Sequence, residues 1–229
     1  MKIAGFQKIS LLDYPGTPCA IVFTQGCSFR CRFCHTPELI PALALKLISD
    51  EEFFAKLNEH KKMVSAVTIT GGEPTLQSDL PEFIKRLKDE GYKVKLDTNG
   101  TNPGMVEKLI AAGLLDYIAM DLKNNWEDYD AVTNTGSAAV CERPKKTFTM
   151  IQNSDVHHEF RTTILPGAHT PESFMKMVGY LKPGEKYFIQ DTRFEVMLDP
   201  TTPHERGFDL DELLSSLRAK YPEILIEKR

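Results

Sequence analysis

The chain has 229 residues and a formal net charge of −4, and its 41% hydrophobic and 26% charged residues are ordinary for a globular protein. This composition excludes a disordered chain and argues against nucleic acid as the main partner. Its apolar stretches are too short to span a membrane, and the N-terminus lacks signal-peptide anatomy. We therefore expect one domain over residues 1–229, located in the cytoplasm with no membrane partner.

The predicted elements begin with a lead-in, residues 1–18, which we expect to form an edge hairpin because Pro15-Gly16 makes a turn. Apolar runs bounded by turn residues then predict six strands. These strands cover residues 19–24, 66–70, 93–97, 117–120, 158–164 and 187–190. Amphipathic spacing predicts helices between them, the first capped by Ser49, and a last helix and strand over 209–220 and 224–226.

Strand and helix alternate six times, which predicts a parallel sheet with helices outside it. Six units at this length favour an α/β fold of the partial (β/α)6 TIM-like barrel type over a closed barrel of eight. We expect the barrel core over residues 19–191 and a C-terminal extension over 192–229. In such a fold, the loops after the strands meet at one face, where active sites lie.

Three of the five cysteines follow the first strand as Cys27-x3-Cys31-x2-Cys34, within the cysteine loop, residues 27–34. An odd, clustered set does not indicate a disulfide framework. Two metal centres remain open: structural zinc, which wants a fourth ligand, or a 4Fe–4S cluster with one iron left free, which we favour. Cys19 is interpreted as a small buried hydrophobe, and Cys141 is given no role.

The other strand ends carry residues that can hold a ligand. The two glycines of Gly71-Gly72-Glu73-Pro74 would let a ligand approach the backbone. Asp97 and Asp121 could meet a hydroxyl, an amine or a cation, or could simply cap the following turn. Lys123 could reach a ligand carboxylate or remain a solvated charge. Arg161, within the fifth strand, either spans the interior towards acids such as Asp121 or points outward at an edge.

Together these motifs resemble the radical S-adenosylmethionine (SAM) enzymes, and more narrowly the activases of glycyl-radical enzymes. The segment Gly5–Gly16 is similar to the lead-in of activases of anaerobic ribonucleoside-triphosphate reductase, which are related to the pyruvate formate-lyase activating enzyme. The resemblance implies a 4Fe–4S cluster reduced by a flavodoxin or a ferredoxin-type donor. It also implies cleavage of SAM to a 5′-deoxyadenosyl radical, which takes hydrogen from a glycine of the partner enzyme.

Carried over residue by residue, the resemblance makes Cys27, Cys31 and Cys34 the cluster ligands and, with Lys123, the catalytic residues. Phe33 takes the aromatic position near the SAM adenine. A monovalent cation is implied at Asp97, Thr98 and Asp121. The residues implied to contact SAM are Phe33, Cys34, His35, Gly71, Gly72, Glu73, Asp97, Asp121, Leu122, Lys123 and, less directly, Gln190.

Two departures refine this expectation. The pyruvate formate-lyase type has a Pro-Tyr-His segment after the sixth strand, whereas this strand ends in Gln190, which favours the reductase-like subgroup. The short stretch between Cys34 and the second strand leaves no room for a ferredoxin-like insert, so we expect one cluster. The alternatives are a small-molecule radical SAM enzyme, such as 7-carboxy-7-deazaguanine synthase, or an iron–sulfur electron carrier, which would ligate all four irons.

Overall fold

A computed structural model describes residues 1–42 and 46–229. Within these ranges, eight strands form one sheet in sequence order, with β1 antiparallel to β2 and every other neighbouring pair parallel. The strands are β1 (Ile3–Ser10), β2 (Cys19–Thr24), β3 (Ala66–Gly71), β4 (Lys93–Thr98), β5 (Tyr117–Asp121), β6 (His157–Thr163), β7 (Lys186–Gln190) and β8 (Leu225–Lys228). The six predicted strands are β2 to β7, and the fold class is confirmed.

Helices connect the parallel strands on the outside of the sheet. They are α1 (Asp50–Asn58), α2 (Leu80–Asp89), α3 (Pro103–Ala111), α4 (Asp130–Thr133), α5 (Glu142–Gln152), α6 (Pro171–Val178) and α7 (Leu210–Lys220). Ser49 caps α1 as predicted, because its hydroxyl accepts from the backbone N–H of Glu52 at 3.1 Å. The short helix α4 has no counterpart in the sequence prediction. No helix in the described part of the chain is both long and apolar enough to cross a membrane.

The edges of the sheet carry the two chain ends. Strand β1 pairs with β2 as the predicted edge hairpin, and β8 extends the sheet beyond β7. Within the described residues, β1 and β8 do not pair with each other, so the barrel stays open at the side. This opening gives access from the flank of the barrel as well as from the strand ends.

Alternating residues of each strand face opposite sides, and β4 shows the consequence. Val94 and Leu96 pack in the main core with the apolar faces of the helices, whereas Lys95 bonds Asp97 on the inner face. Cys19 is fully buried in a smaller apolar cluster with Ile21, as predicted. The inner face is therefore partly polar, which a packed barrel interior of branched apolar residues would not be.

An ion pair between Glu159 and Arg229 lies in the barrel interior, on the side away from the carboxyl ends of the strands. Glu159 on β6 is fully buried, and both its carboxylate oxygens accept from Arg229 at 2.7 and 3.2 Å. The hydroxyl of Tyr117 donates to the same carboxylate at 2.9 Å. The Arg229 guanidinium also stacks 3.5 Å above the ring of Phe188. The buried Glu159 carboxylate thus has its charge balanced by Arg229, whose own side chain is 37% exposed.

Two glycines let the end of β3 approach the segment that leads into the cysteine loop. Gly71 has a φ of +110°, and a Cβ there would lie 2.4 Å from the backbone N of Thr24. A Cβ on Gly72 would lie 2.1 Å from the carbonyl oxygen of Gly26. That same carbonyl accepts from the backbone N–H of Glu73 at 2.7 Å. The glycines are needed for this close backbone packing, which fixes where the cysteine loop begins.

We expect Gly72→Ala to push the cysteine loop away from β3 and to destabilise the protein by about 1–3 kcal/mol, since the clash is with backbone. Urea unfolding of the metal-free protein measures this loss, and iron content after anaerobic reconstitution reports the displaced cysteines. The matched control is Gly104→Ala in α3, where a Cβ meets only Asn102 Oδ1 at 4.0 Å. Equal stability of the two variants would contradict this account of the loop.

Candidate functional site

A cavity of about 620 Å³ opens at the carboxyl ends of the parallel strands. Its volume is in the range of sites for small molecules and cofactors. Twelve predicted site residues line it: Cys27, Cys31, Phe33, Cys34, His35, Gly71, Gly72, Asp97, Thr98, Asp121, Lys123 and Gln190. A second cavity, of about 560 Å³, lies at the amino ends of β4 and β6, away from these residues. The structure therefore brings most of the predicted site together at one face.

Glu73 is expected to border a ligand, but its side chain does not line the cavity. Its side chain is fully buried, and Oε1 accepts from the hydroxyls of Thr75 at 2.5 Å and Thr98 at 2.8 Å. Its Oε2 accepts from the backbone N–H of Asn99 at 2.6 Å. Burial raises the pKa of Glu73 above its ordinary value, against the lowering effect of these donors. Glu73 therefore ties the loop after β3 to the loop after β4 and does not line the cavity.

Leu122 is expected to contact the ligand, but its side chain points away from the cavity. It is fully buried in the main apolar core, because it points to the opposite side of the strand end from its neighbours Asp121 and Lys123. Its backbone N–H donates to the carbonyl of Arg161 at 2.8 Å, and its carbonyl accepts from the hydroxyl of Thr162 at 2.6 Å. Leu122 thus anchors β5 to β6 instead of facing the cavity.

The three thiols of the cysteine loop share one wall of the cavity. Burial raises the pKa of Cys31 to about 12 and raises that of Cys27, while the nearby Lys123 lowers both. At neutral pH the thiols of Cys27 and Cys31 are protonated, so an incoming metal centre must displace their protons. The side chain of Asn99, which the sequence did not single out, donates to Cys27 Sγ at 3.8 Å.

The three cysteines of the loop could hold either of the two metal centres left open by the sequence, a single zinc ion or a 4Fe–4S cluster. Within the described residues, no group of three or more His, Cys, Asp or Glu side chains could hold a single metal ion as placed. A 4Fe–4S cluster places its cysteine ligands on different irons, and therefore farther apart than the ligands of one ion. Three thiols beside open space fit a cluster with one iron facing the cavity, and Cys27, Cys31 and Cys34 would hold it.

Paired charges also line the cavity. The guanidinium of Arg161 reaches Asp121 Oδ1 at 2.9 Å and Asp97 Oδ2 at 3.2 Å, so it spans the interior, the first of its two predicted placements. Lys123 Nζ binds Asp121 Oδ2 at 2.9 Å and lies 5.1 Å from the ring centre of Phe33. Burial opposes the ionisation of Asp121, yet Lys123 and Arg161 hold its pKa well below its ordinary value. Both acids are therefore carboxylates at neutral pH.

Lys95 belongs to the same network and was missed in the sequence. It is 2% exposed, and its Nζ binds Asp97 Oδ1 at 2.5 Å. Burial opposes the charge of Asp97, but Arg161 and Lys95 outweigh it and lower its pKa. The one available signal was spacing, because Lys95 and Asp97 are two residues apart on a strand and must share a face. The oxygens of Asp97 and Asp121, where a cation site is expected, already face cationic side chains.

The C-terminal extension contributes an unforeseen support to the cysteine loop. The backbone N–H groups of Leu198 and Asp199 donate to the carbonyls of Cys34 at 2.9 Å and Arg32 at 3.0 Å. Arg32 Nε also binds Asp199 Oδ2 at 2.7 Å. These contacts join segments that are far apart in sequence, so no local pattern predicts them. The extension thus covers the outer side of the cysteine loop.

His169 fastens the loops that follow β5 and β6. Its Nδ1 accepts from the backbone N–H of Leu165 at 2.7 Å, so Nε2 carries the proton and donates to the carbonyl of Lys123 at 2.8 Å. Burial lowers the pKa of His169 to about 4. The neutral imidazole therefore holds Lys123, a cavity residue, in place through its backbone.

Comparison with known proteins gives a consistent result. Residues 21–181 match the Radical SAM superfamily. A Methanocaldococcus jannaschii protein with the provisional name of a glycyl-radical enzyme activating enzyme is 31% identical over 82% of this chain and 78% of its own. The pyruvate formate-lyase-activating enzyme of Clostridium pasteurianum is 28% identical over 79% of this chain and 76% of its own. The structure of Streptococcus suis SuiB bound to S-adenosylmethionine shares the fold, with a TM-score of 0.67 at 14% identity over 90% of this chain and 48% of the SuiB chain.

The folded-state pKa of His169 generates a pH prediction. Because this value, about 4, lies below the ordinary 6.5, the neutral side chain stabilises the fold fully above about pH 6.5. That contribution falls as the pH drops through 4. In His169→Gln, which keeps a donor and an acceptor, we expect the stability difference from wild type to shrink by about 3 kcal/mol between pH 7 and pH 4.

Urea unfolding at both pH values measures the His169 effect. The control is His157→Gln at an exposed histidine, which should stay within about 0.5 kcal/mol of wild type throughout. A wild-type advantage over His169→Gln that is the same at both pH values would show that the imidazole does not titrate as described.

Proposed function

Because the chain belongs to the radical SAM superfamily, we propose that it is an activase that generates the glycyl radical of a partner enzyme by abstracting hydrogen from glycine. The preferred partner is an anaerobic ribonucleoside-triphosphate reductase. One observation carries the proposal: the three thiols of the cysteine loop and the charged side chains at the strand ends line one cavity. The relatives named for glycyl-radical activation support the partner class, and the lead-in Gly5–Gly16 supports the choice of reductase.

In this proposal Cys27, Cys31 and Cys34 hold the cluster, which when bound supplies the electron for reductive cleavage of SAM. The residues of the chain bind and orient SAM. Lys123 offers positive charge to the SAM carboxylate, and its own position is fixed by Asp121 at 2.9 Å. Phe33, which is 6% exposed beside Lys123, presents an aromatic face to the adenine. Gly71 and Gly72 leave backbone groups uncovered beside the SAM amino group.

The surroundings of the cavity suit a reaction that must exclude water. The extension bonds the cysteine loop through Leu198 and Asp199 and so covers its outer side. The open flank between β1 and β8 leaves a route by which a glycine loop of a large partner reaches the cavity. A small substrate would not need such an opening.

The electron donor in this proposal is a flavodoxin or a ferredoxin-type protein, and the location is the cytoplasm.

The test is anaerobic incubation of the reconstituted, reduced protein with SAM and the reductase. We expect 5′-deoxyadenosine by chromatography and a glycyl radical on the reductase by electron paramagnetic resonance. Cys31→Ser should abolish both products, because the cluster loses a ligand. Cys19→Ala is the matched control and should retain both, since Cys19 is buried in a separate cluster away from the cavity.

The outcomes separate the candidate functions. A fully loaded cluster that yields no 5′-deoxyadenosine would contradict radical SAM chemistry and favour the electron carrier. Cleavage of SAM without a radical on the reductase or on pyruvate formate-lyase would contradict the activase and favour a small-molecule substrate. A radical on pyruvate formate-lyase alone would keep the activase and replace the partner.

A further inference from the structure

The family resemblance implies a monovalent cation at Asp97, Thr98 and Asp121. The side chain of Lys95 lies at this place, where its ammonium group binds Asp97. We infer that Lys95 is a built-in replacement for that ion, so that this protein needs no soluble monovalent cation to position its strand-end acids. The inference deepens the proposed function, because it concerns the same SAM site. It makes Lys95 a positioning residue that acts through Asp97.

The first step is the state of the oxygens that would bind an ion. Asp97 Oδ1 bonds Lys95 Nζ at 2.5 Å, and Asp97 Oδ2 bonds the Arg161 guanidinium at 3.2 Å. Asp121 Oδ1 bonds Arg161 at 2.9 Å, and its Oδ2 bonds Lys123 at 2.9 Å. Every carboxylate oxygen of the expected site thus already faces a cationic nitrogen.

The hydroxyl of Thr98 is committed in the same way. It donates to Glu73 Oε1 at 2.8 Å and accepts from the backbone N–H of Gly100 at 3.0 Å. Because Glu73 is fully buried and tied to the loop after β4, this bond is part of the framework of the site. An ion would have to displace it, and the buried Glu73 carboxylate would lose a donor.

The charge balance points the same way. The network holds two carboxylates, Asp97 and Asp121, against three cationic side chains, Lys95, Lys123 and Arg161, for a net charge of one positive. Another cation would bring this buried group to two positive charges without a new anion. An uncompensated buried charge costs several kcal/mol, so the set of residues present does not fit a soluble cation.

The placement of Lys95 explains how it substitutes for an ion. It is 2% exposed on the inner face of β4, two residues before Asp97, and the strand backbone fixes its distance from that acid. A tethered ammonium group is present at constant occupancy whatever the salt composition. The result is an Asp97 carboxylate held ready for Arg161, which in turn holds Asp121 and, through it, Lys123.

The test compares KCl, NH4Cl and tetramethylammonium chloride at equal ionic strength. For the wild type, the melting temperature of the metal-free protein and the SAM affinity of the reconstituted protein should be the same in all three. Lys95→Ala should lose roughly tenfold or more in SAM affinity in tetramethylammonium, since a buried acid loses its partner. Ammonium or potassium ions should restore it, because the truncated side chain leaves room for an ion.

Two further variants and one spectroscopic readout sharpen the result. Lys95→Met keeps the volume without the charge and should not be rescued by any salt, whereas Lys93→Ala, at the exposed start of β4, should match wild type. In nitrate salts, thallium NMR of the metal-free proteins should show bound Tl⁺ in Lys95→Ala and none in wild type. This readout needs neither SAM nor a partner enzyme, so it holds even where the proposed function fails.

Wild-type protein that binds Tl⁺ at this site, or that gains several-fold in SAM affinity in potassium over tetramethylammonium, would overturn the inference. So would a Lys95→Ala variant that is folded, binds no Tl⁺ and is not rescued by ammonium. If Lys95→Ala does not fold, the salt series and the thallium measurement on wild type still decide the question.

Discussion

A single guanidinium held between two carboxylates fastens the ends of three neighbouring strands. Arg161 lies on β6 directly opposite Asp121 in the β5–β6 register, and it reaches across β5 to Asp97 on β4. Charges inside a barrel are costly to bury unless each has a partner. The ion pairs of Arg161 with Asp97 and Asp121 therefore fix the spacing of β4, β5 and β6 at the face where the cavity opens, more strictly than apolar packing would.

The loops above those strands are fastened by buried polar groups as well. Glu73 joins the loop after β3 to the loop after β4, and His169 joins the loop after β5 to the loop after β6. Each group is satisfied by hydrogen bonds on both sides and fills no part of the cavity. The loops can thus be held in place without filling the space between them, because neither side chain lines the cavity.

The sequence predicted the elements well because their signals are local. The apolar runs and capping residues of β2 to β7 and α1 lie within a few neighbours of one another. For Arg161 the sequence left two placements open, and the inward one, with carboxylate partners, is the one in the structure. Lys95 was missed, and the burial of the Glu73 side chain was not foreseen, because the side of a strand end that faces the cavity depends on register between strands. The contacts of Leu198 with the cysteine loop join distant segments and have no local signature.

The cysteine loop shows why these distant contacts matter for the chemistry. The loop is irregular, and its internal hydrogen bonds run from Cys34 N–H to the carbonyl of Cys31 at 2.9 Å and from the Arg30 guanidinium to the carbonyls of Cys27 and Phe29. Its start is set by the packing of Gly72 against Gly26, and its end is bonded to Leu198. The backbone of the loop is therefore held by contacts that do not involve the thiols. Metal binding then adds its free energy to a loop whose two ends are fixed by the rest of the fold, so more of that free energy stabilises the folded state.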